Sequence, residues 1–106
     1  MDLASLNCRP VEGQPAMEGA AIEAHLKQLS GWRRVDGAIE KRFELGDFDR
    51  TMVFVNAVAE IARAEDHHPT LVVNYANCTV RYSTHSVAGL SINAFICAAK
   101  VDALGE

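Results

Sequence analysis

The residues with the clearest capacity for chemistry lie in the stretch EDHHP, Glu65-Asp66-His67-His68-Pro69. Imidazole is the side chain that most readily gains and loses a proton near neutral pH. A positioned imidazole can act as a general acid or base, which contributes about 10²–10⁴-fold to a rate. The neighbouring Asp66 carboxylate could fix the tautomer of a ring or raise the pKa of a histidine. The pattern therefore indicates proton transfer.

A third histidine, His85, is predicted to join this pair in space. Two short alternating segments, 71–75 and 78–84, read as the strands of a hairpin. Antiparallel pairing brings the start of the first strand beside the end of the second. His67 and His68 precede the first strand and His85 follows the second, so the three imidazoles are expected at one end of a sheet.

Two other interpretations of the histidine pair stay open. Histidine is favoured near a helix C-terminus by the helix dipole, and Pro69 disfavours helix at His68, so the pair could simply mark the end of a helix. A metal site is the weaker reading, because adjacent side chains of an extended segment point in opposite directions. Zinc would also require further ligands, and no cysteine is near in sequence. We assign no metal ligand.

The elements that must position these residues follow from the spacing of apolar side chains. In chain order they are a helix over about 18–29, a hairpin of 32–35 and 38–45 with Asp36-Gly37 at its turn, a helix over about 47–64, the strands 71–75 and 78–84, and a helix over about 91–104. The order α-β-β-α-β-β-α predicts an α+β fold, a four-stranded antiparallel sheet with helices on one face. Its free edge strands favour pairing between subunits.

Composition limits the class of protein. The chain has 106 residues and suits one compact domain, predicted over 18–106 after an irregular lead-in over 1–17. Its net charge of −4 argues against a nucleic-acid partner. We find no targeting signal and no run long enough to span a membrane. Three widely spaced cysteines form neither a zinc motif nor a disulfide framework, which predicts a reducing, cytoplasmic location.

An ordered set of short motifs resembles the pterin-4a-carbinolamine dehydratase family over roughly residues 17–104. The most specific feature is HHP followed by TH-x-x-x-GLS. The motifs are Gly31-Trp32, Phe48-Asp49 with Phe54, Asp66-His67-His68-Pro69, Tyr75, Thr84-His85, Gly89-Leu90-Ser91 and Ala98-Ala99-Lys100-Val101-Asp102.

The resemblance implies an activity and a site. Such enzymes remove water from 4a-hydroxytetrahydropterin to give quinonoid dihydropterin, which recycles the cofactor of aromatic amino-acid hydroxylases. The pterin is then the substrate, no cofactor is needed, and such a hydroxylase is a candidate partner. Family members form homodimers or homotetramers. His67 and His85 would shuttle protons at the 4a-hydroxyl, and His68 would bind or orient the pterin. Further pocket residues would be Asp66, Ser83, Thr84 and Ser86.

Two positions depart from the family pattern and leave a second function open. Arg63 stands where many members have an acid four residues before the first histidine, and Ala94 stands where many have an acid in the last helix. The second departure removes the reciprocal acid of a capping box. The alternative is a weak or inactive member that acts as a protein-binding module, since relatives serve as a transcriptional cofactor or an assembly chaperone. The three histidines favour the enzyme.

Overall fold

The computed structural model describes residues 2–84 and 89–104, and it confirms the predicted fold class and element order. A short 3-10 helix within the lead-in was not predicted. The elements are this 3-10 helix (Leu3–Ser5), α1 (Gly19–Leu26), β1 (Arg33–Val35), β2 (Ala38–Glu44), α2 (Phe48–Glu65), β3 (Thr70–Val73), β4 (Asn77–Tyr82) and α3 (Ile92–Ala103). None of the described helices combines the length and the apolar character that crossing a bilayer requires.

The four strands form one antiparallel sheet in the order β1-β2-β4-β3. The predicted turn at Asp36-Gly37 joins β1 to β2, with Asp36 in the left-handed region at φ 52°. In the second hairpin Thr70 lies opposite Arg81. This register brings the chain just before β3 beside the chain just after β4, which is the end of the sheet where the histidines were expected.

One face of the sheet is buried under helices α2 and α3. Cys78, Val80 and Tyr82 alternate along β4 and are fully buried, whereas the intervening Arg81 is exposed. Period-two burial is what a half-covered strand requires. The core cluster that these side chains share with the two helices is Phe54, Val58, Ala94, Phe95, Ile96, Cys97, Ala98 and Val101.

A polar cluster around Asp102 ties α3 to the first hairpin. One carboxylate oxygen of Asp102 accepts hydrogen bonds from Trp32 Nε1 at 3.0 Å and from Lys41 Nζ at 2.8 Å. Lys41 also donates to the carbonyl of Ser30 at 2.6 Å. The carboxylate therefore satisfies a buried indole and a lysine that lies on the inward parity of β2.

We expect Asp102→Ala to lower the free energy of unfolding by about 2–3 kcal/mol, because it leaves the Trp32 N–H without an acceptor and Lys41 without its counter-charge. Urea titration measures the change. The matched control is Glu44→Ala, which breaks the exposed Arg42–Glu44 ion pair and should cost less than about 1 kcal/mol. Equal losses in the two variants would contradict this account.

Candidate active site

The chain turns at the C-terminal end of α2, which directs His67 towards the sheet. Asp66 adopts a left-handed conformation with φ 51° and ψ 44°. Both the Asp66 and His67 amides donate to the carbonyl of Ala62, the latter at 3.2 Å. This closes the last turn of the helix and satisfies a terminal carbonyl, as left-handed caps do. The helix ends at Glu65, one residue beyond the predicted end.

The ring of His67 packs against the fully buried Tyr82. The two rings are stacked, with centroids 5.7 Å apart and planes 15° from parallel. His67 Nε2 and the Tyr82 hydroxyl are both buried, and no residue within 2–84 or 89–104 hydrogen-bonds to either of them. Burial raises the pKa of Tyr82, and the nearby thiols of Cys97 and Cys8 add to the rise, so the phenol stays neutral. Buried polar atoms without partners are rare, so we expect a water, a ligand or a group outside the described residues to satisfy them.

The environment of His67 favours its neutral form. Burial lowers the pKa of His67 most, the charge of His68 lowers it further, and the Asp66 carboxylate only partly opposes them. A neutral imidazole has one nitrogen that donates and one that accepts. His67 is therefore ready to accept a proton at neutral pH.

A cavity of about 370 Å³ opens beside His67. This volume lies within the range of about 300–1,000 Å³ that is usual for small-molecule sites. Its described walls come from three parts of the chain, the N-terminal segment 8–12, the end of α2 through Asp66 and His67, and Thr84 with Asn93. Three of the predicted site residues, Asp66, His67 and Thr84, are thus brought to one cavity.

Thr84 also connects the cavity to the start of α3. Its hydroxyl lies 2.7 Å from the hydroxyl of Ser91, and Ser91 caps the helix by accepting from the Asn93 amide at 3.2 Å. Thr84 and Gly89 form an antiparallel bridge, in which the Thr84 amide donates to the Gly89 carbonyl at 2.6 Å. These contacts fix Thr84, which lines the cavity, to Gly89 and to the start of α3.

Two other predicted residues, Ser83 and His68, are not among the described walls of this cavity. Ser83 lines a neighbouring cavity of about 380 Å³, together with Thr70 and Arg81, and shares Thr84 with the first. His68 is exposed and is not among the described lining residues of either cavity. His85 and Ser86 lie outside the described residues. The catalytic and binding roles of all these side chains stay predictions.

Sequence reasoning missed the N-terminal wall of the cavity. The Cys8 amide donates to Glu65 Oε1 at 2.7 Å. The Asn93 side chain accepts from the Arg9 amide at 3.2 Å and donates to the Arg9 carbonyl at 2.6 Å. The available signal was Asn93 itself, a polar residue inside the apolar run of the last helix, which needs a partner if buried.

Arg63 and Ala94 have different surroundings. Arg63 is exposed and pairs with Glu60 on the same helix, outside the described lining of the cavity. Ala94 is fully buried in the core at the first turn of α3. Among residues 2–84 and 89–104, no three histidine, cysteine, aspartate or glutamate side chains are grouped as metal ligands would be.

Comparison with known proteins agrees with the resemblance in the sequence. A family model described as pterin 4 alpha carbinolamine dehydratase matches residues 15–104. A protein of Nitrosospira multiformis named "Putative pterin-4-alpha-carbinolamine dehydratase" is 47% identical over 97% of this chain and 92% of its own. One of the same name from Nitrosomonas eutropha is 49% identical over 97% and 93%.

Two solved structures share the fold. The first is the transcriptional coactivator/pterin dehydratase of Brucella melitensis, with a TM-score of 0.82 and 29% identity over 86% of this chain and 99% of that one. The second, described as a pterin dehydratase-like protein that is a RuBisCO assembly factor in the alpha-carboxysome, has a TM-score of 0.61 and 23% identity over 71% and 89%. At 23% identity, the similarity to the second structure supports the shared fold and nothing further.

The lowered pKa of His67 predicts a pH-dependent loss of stability. As the pH falls below the value of about 6.5 for a free histidine, the unfolded chain takes up a proton that native His67 resists, so stability decreases until the folded pKa is passed. We expect His67→Gln to lose less stability than the wild type between about pH 7.5 and pH 5. Urea unfolding at both pH values measures the difference.

His68→Gln is the matched control for that experiment. It should keep most of the pH dependence, because burial is the larger cause of the lowered pKa of His67. The account fails if His67→Gln keeps the full wild-type loss of stability.

Proposed function

The chain belongs to the pterin 4 alpha carbinolamine dehydratase family, and we propose that it removes water from 4a-hydroxytetrahydropterin to give quinonoid dihydropterin. The observation that carries the proposal is the position of His67. A neutral imidazole, whose buried Nε2 has no hydrogen-bond partner among residues 2–84 and 89–104, belongs to a residue at the wall of a cavity of suitable size. The same wall holds Asp66 and Thr84, two of the side chains expected to contact the ring.

The proposed reaction consists of two proton transfers around a C–O bond cleavage. The bond between C4a and the hydroxyl oxygen breaks as that oxygen receives a proton and leaves as water. A ring nitrogen loses its proton, and its electron pair forms the new double bond. Loss of water changes no oxidation state overall, so neither a metal nor a redox cofactor is required. One acid and one base suffice.

His67 suits the role of base in this scheme. Its lowered pKa keeps it unprotonated at neutral pH, and a half-buried site raises the strength of its interactions with a bound ligand. His85 would supply the acid at the 4a-hydroxyl, and exchange with water would restore both histidines. His68, which is exposed and follows His67 in the chain, would orient the pterin. Ser83, which lines the neighbouring cavity that shares Thr84, and Ser86 would complete the ring site.

The exposed apolar surface around β3 supports self-association to a homodimer or homotetramer. We call the β3 patch the side chains Phe48, Val72, Val73 and Tyr75, which are between 40% and 70% exposed. Phe48 stacks on Tyr75 with ring centroids 6.3 Å apart, so exposed apolar surface extends from the end of β3 to the start of α2. Val72 and Val73 lie on opposite faces of the same edge strand. β3 is an edge strand, and an exposed apolar edge favours pairing with another chain.

The β3 patch also supports the alternative function of a protein-binding module. The name of the Brucella relative includes both a coactivator and a dehydratase, so one family member is described by both activities. The two functions differ in what they require, since binding needs the patch and turnover needs the histidines. We place either function in the cytoplasm, on the ground of three unpaired cysteines.

We expect His67→Gln and His85→Gln each to lower kcat by about 10²–10⁴-fold, because each removes a positioned proton-transfer group. Stopped-flow measurement of carbinolamine decay checks this. His25→Gln, on α1, is the control and should retain wild-type turnover. If the wild type does not accelerate the decay, the dehydratase proposal fails and the binding module becomes the better account.

A charge within the β3 patch should weaken self-association. We expect Val72→Lys to shift the sedimentation coefficient towards that of the monomer, since a buried lysine at an apolar contact lacks a partner. Glu23→Lys on α1 introduces the same side chain away from the patch and should leave the assembly intact. An unchanged sedimentation profile for Val72→Lys would place the contact elsewhere.

A further inference from the structure

Two cysteines that are far apart in sequence meet at the wall of the cavity. The Sγ atoms of Cys8 and Cys97 are 3.4 Å apart, although the two residues are 89 positions apart in the sequence. Cys97 is fully buried in α3, whereas Cys8 is partly exposed and lines the cavity. A disulfide has an S–S bond of about 2.05 Å, so the two sulfurs need to approach by only about 1.4 Å.

Several hydrogen bonds hold Cys8 in this position. We call residues 4–12 the N-terminal strap. The strap is held through the Cys8 amide on Glu65 and through both main-chain groups of Arg9 on the Asn93 side chain. Lys100 Nζ, one turn along α3 from Cys97, donates to the carbonyl of Ala4 at 2.8 Å. The contact between the two thiols therefore belongs to a segment that specific hydrogen bonds hold against α2 and α3.

We propose that Cys8 and Cys97 form a reversible intramolecular disulfide that locks the N-terminal strap against α3. The site is a dithiol that a hydroperoxide can oxidise and a small thiol can reduce. The inference concerns the strap and does not depend on the dehydratase activity, because its chemistry involves neither the histidines nor a pterin.

The oxidation balances with hydrogen peroxide as the two-electron oxidant. The Cys8 thiol loses its proton and attacks one peroxide oxygen, which gives a sulfenic acid and one water. The Cys97 sulfur then attacks Cys8 Sγ and displaces hydroxide, which takes the proton from Cys97 and leaves as a second water. One S–S bond forms, two S–H bonds and one O–O bond break, and two thiols are oxidised as one peroxide is reduced.

The different environments of the cysteines assign the order of these steps. Cys8 is the thiol that an oxidant can reach. The hydrogen bond with Cys8 and burial both raise the pKa of Cys97, so Cys97 stays a thiol until a sulfenic acid forms beside it. Cys78 is fully buried on β4, where burial raises its pKa, and its sulfur contacts the carbonyl of Thr79 instead. Cys78 thus serves as an internal control.

Closing so long a loop should stabilise the fold and protect the strap. A disulfide across a long loop constrains the unfolded chain strongly, so we expect Tm to rise by about 10 °C or more. The amide hydrogens of Cys8 and Arg9 should exchange more slowly, because opening of the strap becomes rarer. Both effects should reverse on reduction.

The test is to treat the full chain with a small excess of hydrogen peroxide and to measure thiols, mass and Tm. The expected result is that titratable thiols in denaturant fall from the three of the sequence to one, that the intact mass falls by two hydrogen atoms, and that peptide mapping links Cys8 to Cys97. Dithiothreitol should restore the starting values. Cys8→Ser should keep its thiol count and its Tm under the same treatment. Cys78→Ala should form the same bond as the wild type, so its titratable thiols should fall from two to none.

Three results would overturn the proposal. All three thiols could remain titratable after treatment. The mapping could find a bond that includes Cys78 or a second chain. Cys8 could gain oxygen atoms without forming any bond to Cys97. The wild-type measurement decides among these outcomes even if a variant fails to fold, and none of them depends on whether the protein dehydrates a pterin.

Discussion

The stacking of His67 on Tyr82 is the contact on which the geometry of the site depends. It joins the end of α2 to the buried face of β4, and it holds the ring parallel to a phenol that cannot ionise near neutral pH. The same burial lowers the pKa of the imidazole. Position and protonation state therefore have one physical cause, so a change that loosens the stack alters both together.

The left-handed conformation of Asp66 is what allows this stack to form. A helix that continued past Glu65 would carry the next side chains around its axis and away from the strand. A non-glycine residue in this region costs about 1–2 kcal/mol, although aspartate tolerates it better than most residues. The Ala62 carbonyl, which receives two amides at this turn, offsets part of that cost, and Pro69 keeps the following segment extended.

The sequence predicted the framework well because local patterns determine it. The hairpin turn at Asp36-Gly37 and the helix before the histidines follow from turn chemistry and apolar spacing. β3 pairs with β4 as predicted, and His67 and Thr84 line one cavity. The position of His85 near the other two histidines lies outside the described residues and stays a prediction. The N-terminal wall was not predictable, because its hydrogen bonds join residues 57 to 84 positions apart. The separation of Ser83 from Asp66 was missed, although adjacent residues of an extended segment point in opposite directions. The contact between Cys8 and Cys97 was not predicted for the same reason as the N-terminal wall. Rules based on residue spacing apply only to residues that are close in sequence.

The central claim is that His67 is a neutral, half-buried base at the wall of the cavity. An NMR titration of the isotope-labelled imidazoles, with His67→Gln to assign the signal, tests it most directly. The account predicts that His67 titrates below the value of about 6.5 for a free histidine and that a non-reacting pterin perturbs its Nε2 resonance. A titration at or above that value, with no response to the pterin, would contradict the account.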